Sequence, residues 1–224
     1  MVEENINMEI KNMINIMGNI TINKKIPDRY PDIVETDILR CGSSCFSNIW
    51  RLRDKYTHRC SWCLVAWDWV KPLYDVIKGG KIISLYSGLG LLDYALESLG
   101  AKIDSYDSYD WNFTKERPTY KDVINKDAFE ALKDYPKDSI DWVIMSWVPH
   151  NDTTCVNIVR ELKDNQSKAK IVWIGEDMCG CNGSDEFFDE TTVPQEYFDL
   201  SVELSDKLQS WSGIHDEVII FVPE

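Results

Sequence analysis

The sequence predicts an α/β fold built on a seven-stranded, mostly parallel sheet, and three observations carry that expectation. Short apolar runs rich in β-branched residues recur along the chain from residue 82 onward, as strands covered on both faces require. Segments of helical spacing separate them, which is the rhythm of parallel crossovers. The final two predicted strands lack a long helix between them and are expected to pair as an antiparallel C-terminal hairpin at one edge.

Taken in order, Ile6, Ile10, Met13, Met17 and Ile20 recur at steps of three and four within residues 1–26. That spacing predicts an amphipathic helix docked on the domain. Its polar face lacks the dense basic charge of a membrane-surface helix. Residues 27–60, with Pro27, Pro31 and scattered polar residues, are expected to be irregular. Residues 1–60 are therefore taken as an N-terminal helical and irregular extension, and 61–224 as the main domain. Ser61 to Ile77, rich in Trp and interrupted by Pro72, predicts a helix or two leading into the first strand.

Ile82, Ile83 and Leu85 form that strand, which breaks at Ser87-Gly88-Leu89-Gly90. Glycines let the backbone turn sharply and approach a ligand, and a helix from Leu91 to Leu99 presents its free amides to it. Gly100 stops the helix, and Ala101 to Asp107 is the second strand. Asp107 then lies about 20 residues beyond the turn, where an acid accepts hydrogen bonds from ribose hydroxyls. This order predicts a nucleotide-handling, Rossmann-like unit. Further on, Tyr120–Ile124, Asp141–Ser146, Ala169–Gly175, the alternating Phe198, Leu200, Val202 and Leu204, and Glu217–Val222 are expected strands. Ala128–Asp134 and Asn151–Lys163 have helical character.

A net charge of −14, from 24 basic and 38 acidic residues, opposes sequence-independent binding to a nucleic-acid backbone. Arg51, Arg53, Lys55 and Arg59 form the densest basic cluster, expected to be a solvated helix face. No stretch has membrane-spanning length, and no signal-peptide pattern opens the chain. Seven unevenly spaced cysteines suit a reducing compartment, so a cytoplasmic location is expected. Cys41, Cys45, Cys60 and Cys63 also have a spacing compatible with a four-thiolate zinc site, with His58 as a spare ligand. Cys63 opens an apolar, Trp-rich segment in which a buried thiol packs equally well.

The order of these motifs, from Ser61 to Pro223, resembles class I S-adenosylmethionine-dependent methyltransferases. The resemblance implies a cofactor site formed by Tyr86, Ser87, Gly88 and Gly90 at the turn, Asp107 on the ribose, and Asp127 with Ala128 at the adenine. More closely, the chain resembles a methyltransferase-like group with a Ser-Trp-Pro-Pro-type fourth motif, then Gly-Glu and a Cys-containing glycine loop. The counterparts are Ser146-Trp147-Val148-Pro149, Gly175-Glu176 and Cys179-Gly180-Cys181-Asn182-Gly183. Val148 replaces one proline. The first glycine of the usual turn is Tyr86, and the acid expected before it is Ser84. Ser84 to Gly90 is similar to the first motif of DNA cytosine methyltransferases, which accept an aromatic residue there. Those enzymes need a Pro-Cys nucleophile, whereas Pro149 is followed by His150. The Asp, Asn or Ser that opens the loop of exocyclic-amine methyltransferases is out of register, so base methylation is not implied.

Methyl transfer from a sulfonium needs an in-line acceptor, exclusion of water and sometimes a base. Residues at the carboxyl ends of the fourth and fifth strands face the crevice, making Ser146, Trp147, His150, Asp152 and Glu176 the candidates for acceptor contact. His150 is a candidate base because histidine is the side chain suited to proton transfer near neutrality, and burial near Trp173 would raise Glu176 unless a backbone amide holds it. His215-Asp216 is expected to be a turn. The expected activity is methyl transfer to a small molecule or a protein side chain rather than nucleic acid. The alternative is a catalytically inactive scaffold of the same fold, favoured by Ser84, Tyr86 and Val148. A catalyst presents an open crevice above Gly88 with Asp107 and Asp127 turned inward; a scaffold fills it with Tyr86 and Trp147.

Overall fold

The computed structural model describes residues 2–31, 43–110, 118–166 and 168–224. Its elements are α1 (Val2–Asn23), α2 (Ser43–Thr57), α3 (Trp67–Ile77), β1 (Ile82–Leu85), α4 (Leu91–Ser98), β2 (Ile103–Asp107), β3 (Ile124–Asn125) and α5 (Ala128–Leu132). There follow β4 (Trp142–Ser146), α6 (Thr154–Asn165), β5 (Lys170–Gly175), α7 (Asp185–Asp189), β6 (Thr191–Thr192), α8 (Gln195–Lys207) and β7 (Glu217–Pro223). The seven strands lie in the order β3-β2-β1-β4-β5-β7-β6. β1 to β5 pair in parallel, while β7 runs antiparallel to both β5 and β6. The fold is the expected α/β, Rossmann-like sheet, mostly parallel with antiparallel C-terminal strands.

Strand alternation divides the core. Ile83, Val143, Ile171 and Phe221 stand in register across four strands, as do Leu85, Met145, Trp173 and Ile219. These face α5, α6 and α7 on one side of the sheet. Ile82, Ile144, Val172 and Ile220 point to the other face, where α1 to α4 and α8 supply the covering layer. Because β1, β4 and β5 are covered on both faces, their continuous apolar runs are physically required.

Two expectations are corrected. Residues 43–57 are helical rather than irregular, because Cys45, Ile49, Leu52 and Tyr56 form a buried face at helical spacing. Phe198 to Leu204 is not the sixth strand. Ser201 and Leu204 bury one face of α8 instead, with Leu208 buried just beyond its end, while Phe198 and Val202 are 52% and 47% exposed. A period-2 pattern coincided there with a helical one, and packing against β7 decided. The sixth strand is the short Thr191–Thr192, so α8 separates the antiparallel pair. α8 also protects β7 where β6 does not reach: Val218 N–H donates to Ser205 Oγ at 3.0 Å and Ile220 N–H to Ser201 Oγ at 3.1 Å.

The expected N-terminal helix is present, with Ile6, Met13, Met17 and Ile20 buried. The basic cluster is divided. Arg51, Lys55 and Arg59 are exposed, but Arg53 is only 9% exposed and lies over the rings of Trp50, Trp62 and Trp147, at 5.1, 5.6 and 5.3 Å. Among the described residues no helix is long and apolar enough to cross a membrane.

Candidate functional site

The carboxyl ends of β1, β2 and β4 open into one cavity of about 480 Å³. This lies within the range of roughly 300–1,000 Å³ typical of small-molecule sites. Its floor is the turn after β1. Gly88 has φ +55°, a left-handed conformation costly for a side chain, and a Cβ there would project into open space. Gly90, at φ +73°, begins α4 from behind the cavity, where a Cβ would press on Val123 at 2.9 Å. The two glycines thus have different surroundings: Gly88 borders open space on the cavity side, and Gly90 admits the segment before β3.

Asp107, ending β2, ties this floor together. Its Oδ2 accepts from Gly88 N–H at 2.7 Å and its Oδ1 from Tyr109 N–H at 2.8 Å. Burial raises its pKa, against the pull of those two amides. Asp127 caps α5 by accepting from Glu130 N–H at 3.0 Å, and it lines the cavity beside Ala128. Tyr86 adopts φ +67° and donates from its hydroxyl to Asp152 Oδ2 at 2.9 Å. Its ring is therefore held in the wall and leaves the space above Gly88 open. Burial, and then the Asp152 carboxylate, push this phenol well above its ordinary pKa, so it is a fixed donor.

The opposite wall comes from β4 and the N-terminal segment. Ser146, Trp147 and His150 line the cavity together with Thr57, His58, Ser61 and Trp62. Trp147, at φ +54°, stacks on Trp62 with centroids 5.3 Å apart and planes at 22°. The loop after β4 is clasped to the loop after β5 by buried Asn182. Its Oδ1 accepts from Glu176 N–H at 2.8 Å and its Nδ2 donates to Val148 carbonyl at 3.0 Å.

Of the residues anticipated from sequence, Tyr86, Ser87, Gly88, Asp107, Asp127, Ala128, Ser146, Trp147, His150 and Asp152 converge on this cavity. Gly90 supports it from behind. Glu176 is not among its lining residues: its Oε2 accepts from Cys181 N–H at 2.8 Å and its Oε1 from His215 N–H at 3.0 Å. Burial opposes its ionisation, but these bonds hold its pKa below the ordinary value. The carboxylate shapes a loop. Sequence reading did not anticipate Thr57, Ser61, Trp62 or Asp93 in the lining, because no local motif marks them.

For the proposed zinc ligands, Cys41 lies outside the described residues. Cys60 and Cys63 are buried, and burial pushes both thiols up to about 12, the state of packed neutral groups. Among the described residues no three His, Cys, Asp or Glu side chains are grouped to hold a metal ion.

No family model matches the chain, and no curated protein matches it. Solved structures similar to it include a SAM-dependent methyltransferase from Archaeoglobus fulgidus, at 14% identity and TM-score 0.40, covering 68% of this chain and 93% of that one. TehB from Haemophilus influenzae is similar at 10% identity and TM-score 0.41, over 77% of this chain and 67% of that one. A tRNA (uracil-54, C5)-methyltransferase from Pyrococcus abyssi, solved with S-adenosyl-L-homocysteine, is similar at 16% identity and TM-score 0.35, over 70% and 38%. These are distant likenesses, and the functional reading rests on the geometry of the cavity itself.

Proposed function

We propose that the cavity binds S-adenosylmethionine and that the protein transfers a methyl group to a small molecule or a protein side chain. The observation that carries this reading is the open space above Gly88, floored by the Gly88 amide and the Asp107 carboxylate. The residues fit the group. Gly88 leaves room for close approach, Asp107 retains acceptor capacity for ribose hydroxyls, and Asp127 with Ala128 borders the adenine end. When bound, the cofactor supplies an electrophilic methyl on a sulfonium.

The chain's own residues then orient and enclose the acceptor. Trp62 and Trp147 form a flat apolar wall that excludes water, and the Ser146 hydroxyl offers a hydrogen bond at the end of β4. A ring nitrogen of His150, also in the lining, takes a proton from the acceptor as the new bond forms. Asp93, Asp107, Asp110, Asp127 and Asp152 line the cavity, and no Lys or Arg does among the described residues. This acidic lining favours neutral or cationic acceptors and disfavours a phosphate backbone.

Calorimetric titration with S-adenosylmethionine and S-adenosylhomocysteine tests the reading. Saturable binding is expected, and Asp107→Ala is expected to weaken it by tenfold or more. No binding by the intact, folded protein would leave the scaffold reading in its place.

A further inference from the structure

We infer that Asp93 is the anchor for the ammonium of the cofactor's amino-acid portion, an assignment that rests on the cofactor reading above. Asp93 is the third residue of α4 and lines the cavity behind the glycine turn. It is only 1% exposed, and its Oδ2 has no hydrogen-bond partner among the described residues. No ion pair reaches it among the described residues; the nearby Lys121 spends its ammonium on Glu97 at 2.6 Å and on the Ile103 carbonyl at 2.7 Å. Burial raises its pKa, and the hydroxyls of Ser105, Ser87 and Ser84 only temper the shift.

An ionised carboxylate buried without a counter-charge costs more free energy than a neutral amide of similar size. Such a group is explained when a cation arrives from outside. The cofactor carries two: the sulfonium, which must face the Ser146 and Trp147 wall for in-line transfer, and the ammonium, which lies at the other end of the amino-acid chain. Asp93 sits on the glycine-turn side of the cavity, on the helix that follows the turn and beside Ser84, Ser87 and Ser105. The strand position before the turn holds Ser84 rather than an acid, and Ser84 Oγ receives a hydrogen bond from Ser87 at 3.0 Å. Beside these two neutral hydroxyls, the carboxylate that lines this part of the cavity is the one on α4.

The assignment makes stability and binding move in opposite directions. Unaltered protein, Asp93→Asn and Asp107→Ala are titrated with S-adenosylhomocysteine and with 5′-methylthioadenosine, which keeps the nucleoside but lacks the amino-acid portion. Asp93→Asn is expected to weaken S-adenosylhomocysteine about tenfold or more, a loss typical of one charged contact, while changing 5′-methylthioadenosine less than about twofold. The ligand-free variant is expected to melt at a higher temperature, because a buried unpaired charge has gone. Asp107→Ala is expected to weaken both ligands. Equal losses for both ligands in Asp93→Asn, or unchanged binding of both, would overturn the assignment. A lower melting temperature would show the carboxylate to be structural and would also overturn it. Failure of the unaltered protein to bind either ligand would instead remove the cofactor reading, and this assignment with it.

Discussion

Asp216 shows how far one residue's chemistry depends on surroundings that lie remote in sequence. Its place before β7 predicts an ordinary turn, yet the side chain is 4% exposed and neither oxygen has a hydrogen-bond partner among the described residues. Burial, and then the neighbouring Glu176 charge, raise its pKa to about 8, against the pull of Arg53. The folded state therefore keeps a proton that the unfolded chain releases near its ordinary value of 3.8. Stability from this group is lost as pH rises from about 4 to about 8, because folding takes up that proton. Asp216→Asn is expected to flatten this slope, so that its urea midpoint, relative to the unaltered protein, rises across the same window. A parallel pH profile in the two proteins would contradict the buried-acid account. Arg53 belongs to the same neighbourhood, and its clustering with Arg51, Lys55 and Arg59 gives no warning that it alone turns inward over three indoles.

At the scale of elements, the loops after β4 and β5 act as one unit. Asn182 joins them through bonds to Glu176 N–H and Val148 carbonyl, while Gly183 N–H donates to the same Val148 carbonyl at 3.1 Å. Asn182→Ala would leave the buried Glu176 amide without its partner and remove one of two bonds to Val148. The expected loss is about 1–3 kcal/mol, measured by urea denaturation. Loosening of the Trp147 segment is also expected, and faster exchange of the Trp147 amide, which donates to the Ile174 carbonyl at 2.8 Å, would report it. The strand–turn–helix–strand order from Ile82 to Asp107 was legible because each step has its own local signal: apolar run, glycine, helical spacing, terminal acid. α8 was not, since its side chains alternate and spiral at once, and only the β7 edge tells which pattern buries apolar surface.

Across the whole molecule, the N-terminal helices cover the sheet face whose core includes Ile82, Ile144, Val172 and Ile220. Ile20 is fully buried in that layer. Ile20→Ala is expected to cost about 2–5 kcal/mol, read from the shift in urea midpoint, because the cavity cannot fully collapse. The same layer reaches the candidate site: Trp62 extends from the segment after α2 to stack on Trp147. Thr57 and His58, at the end of the N-terminal segment, thus lead directly into one wall of the cavity, although nothing in their local pattern announces it.

Local periodicity and backbone chemistry were enough to read the α/β class, the glycine turn with its acid nineteen residues on from Gly88, and the placing of Tyr86, Gly88, Asp107, Ser146 and Trp147 at strand ends. Packing across the chain decides that Glu176 holds a loop, that Trp62 faces Trp147, and that Asp93 is buried with no ion pair among the described residues. Each depends on which groups meet across long chain separations, and that is set by burial and packing rather than by any local pattern.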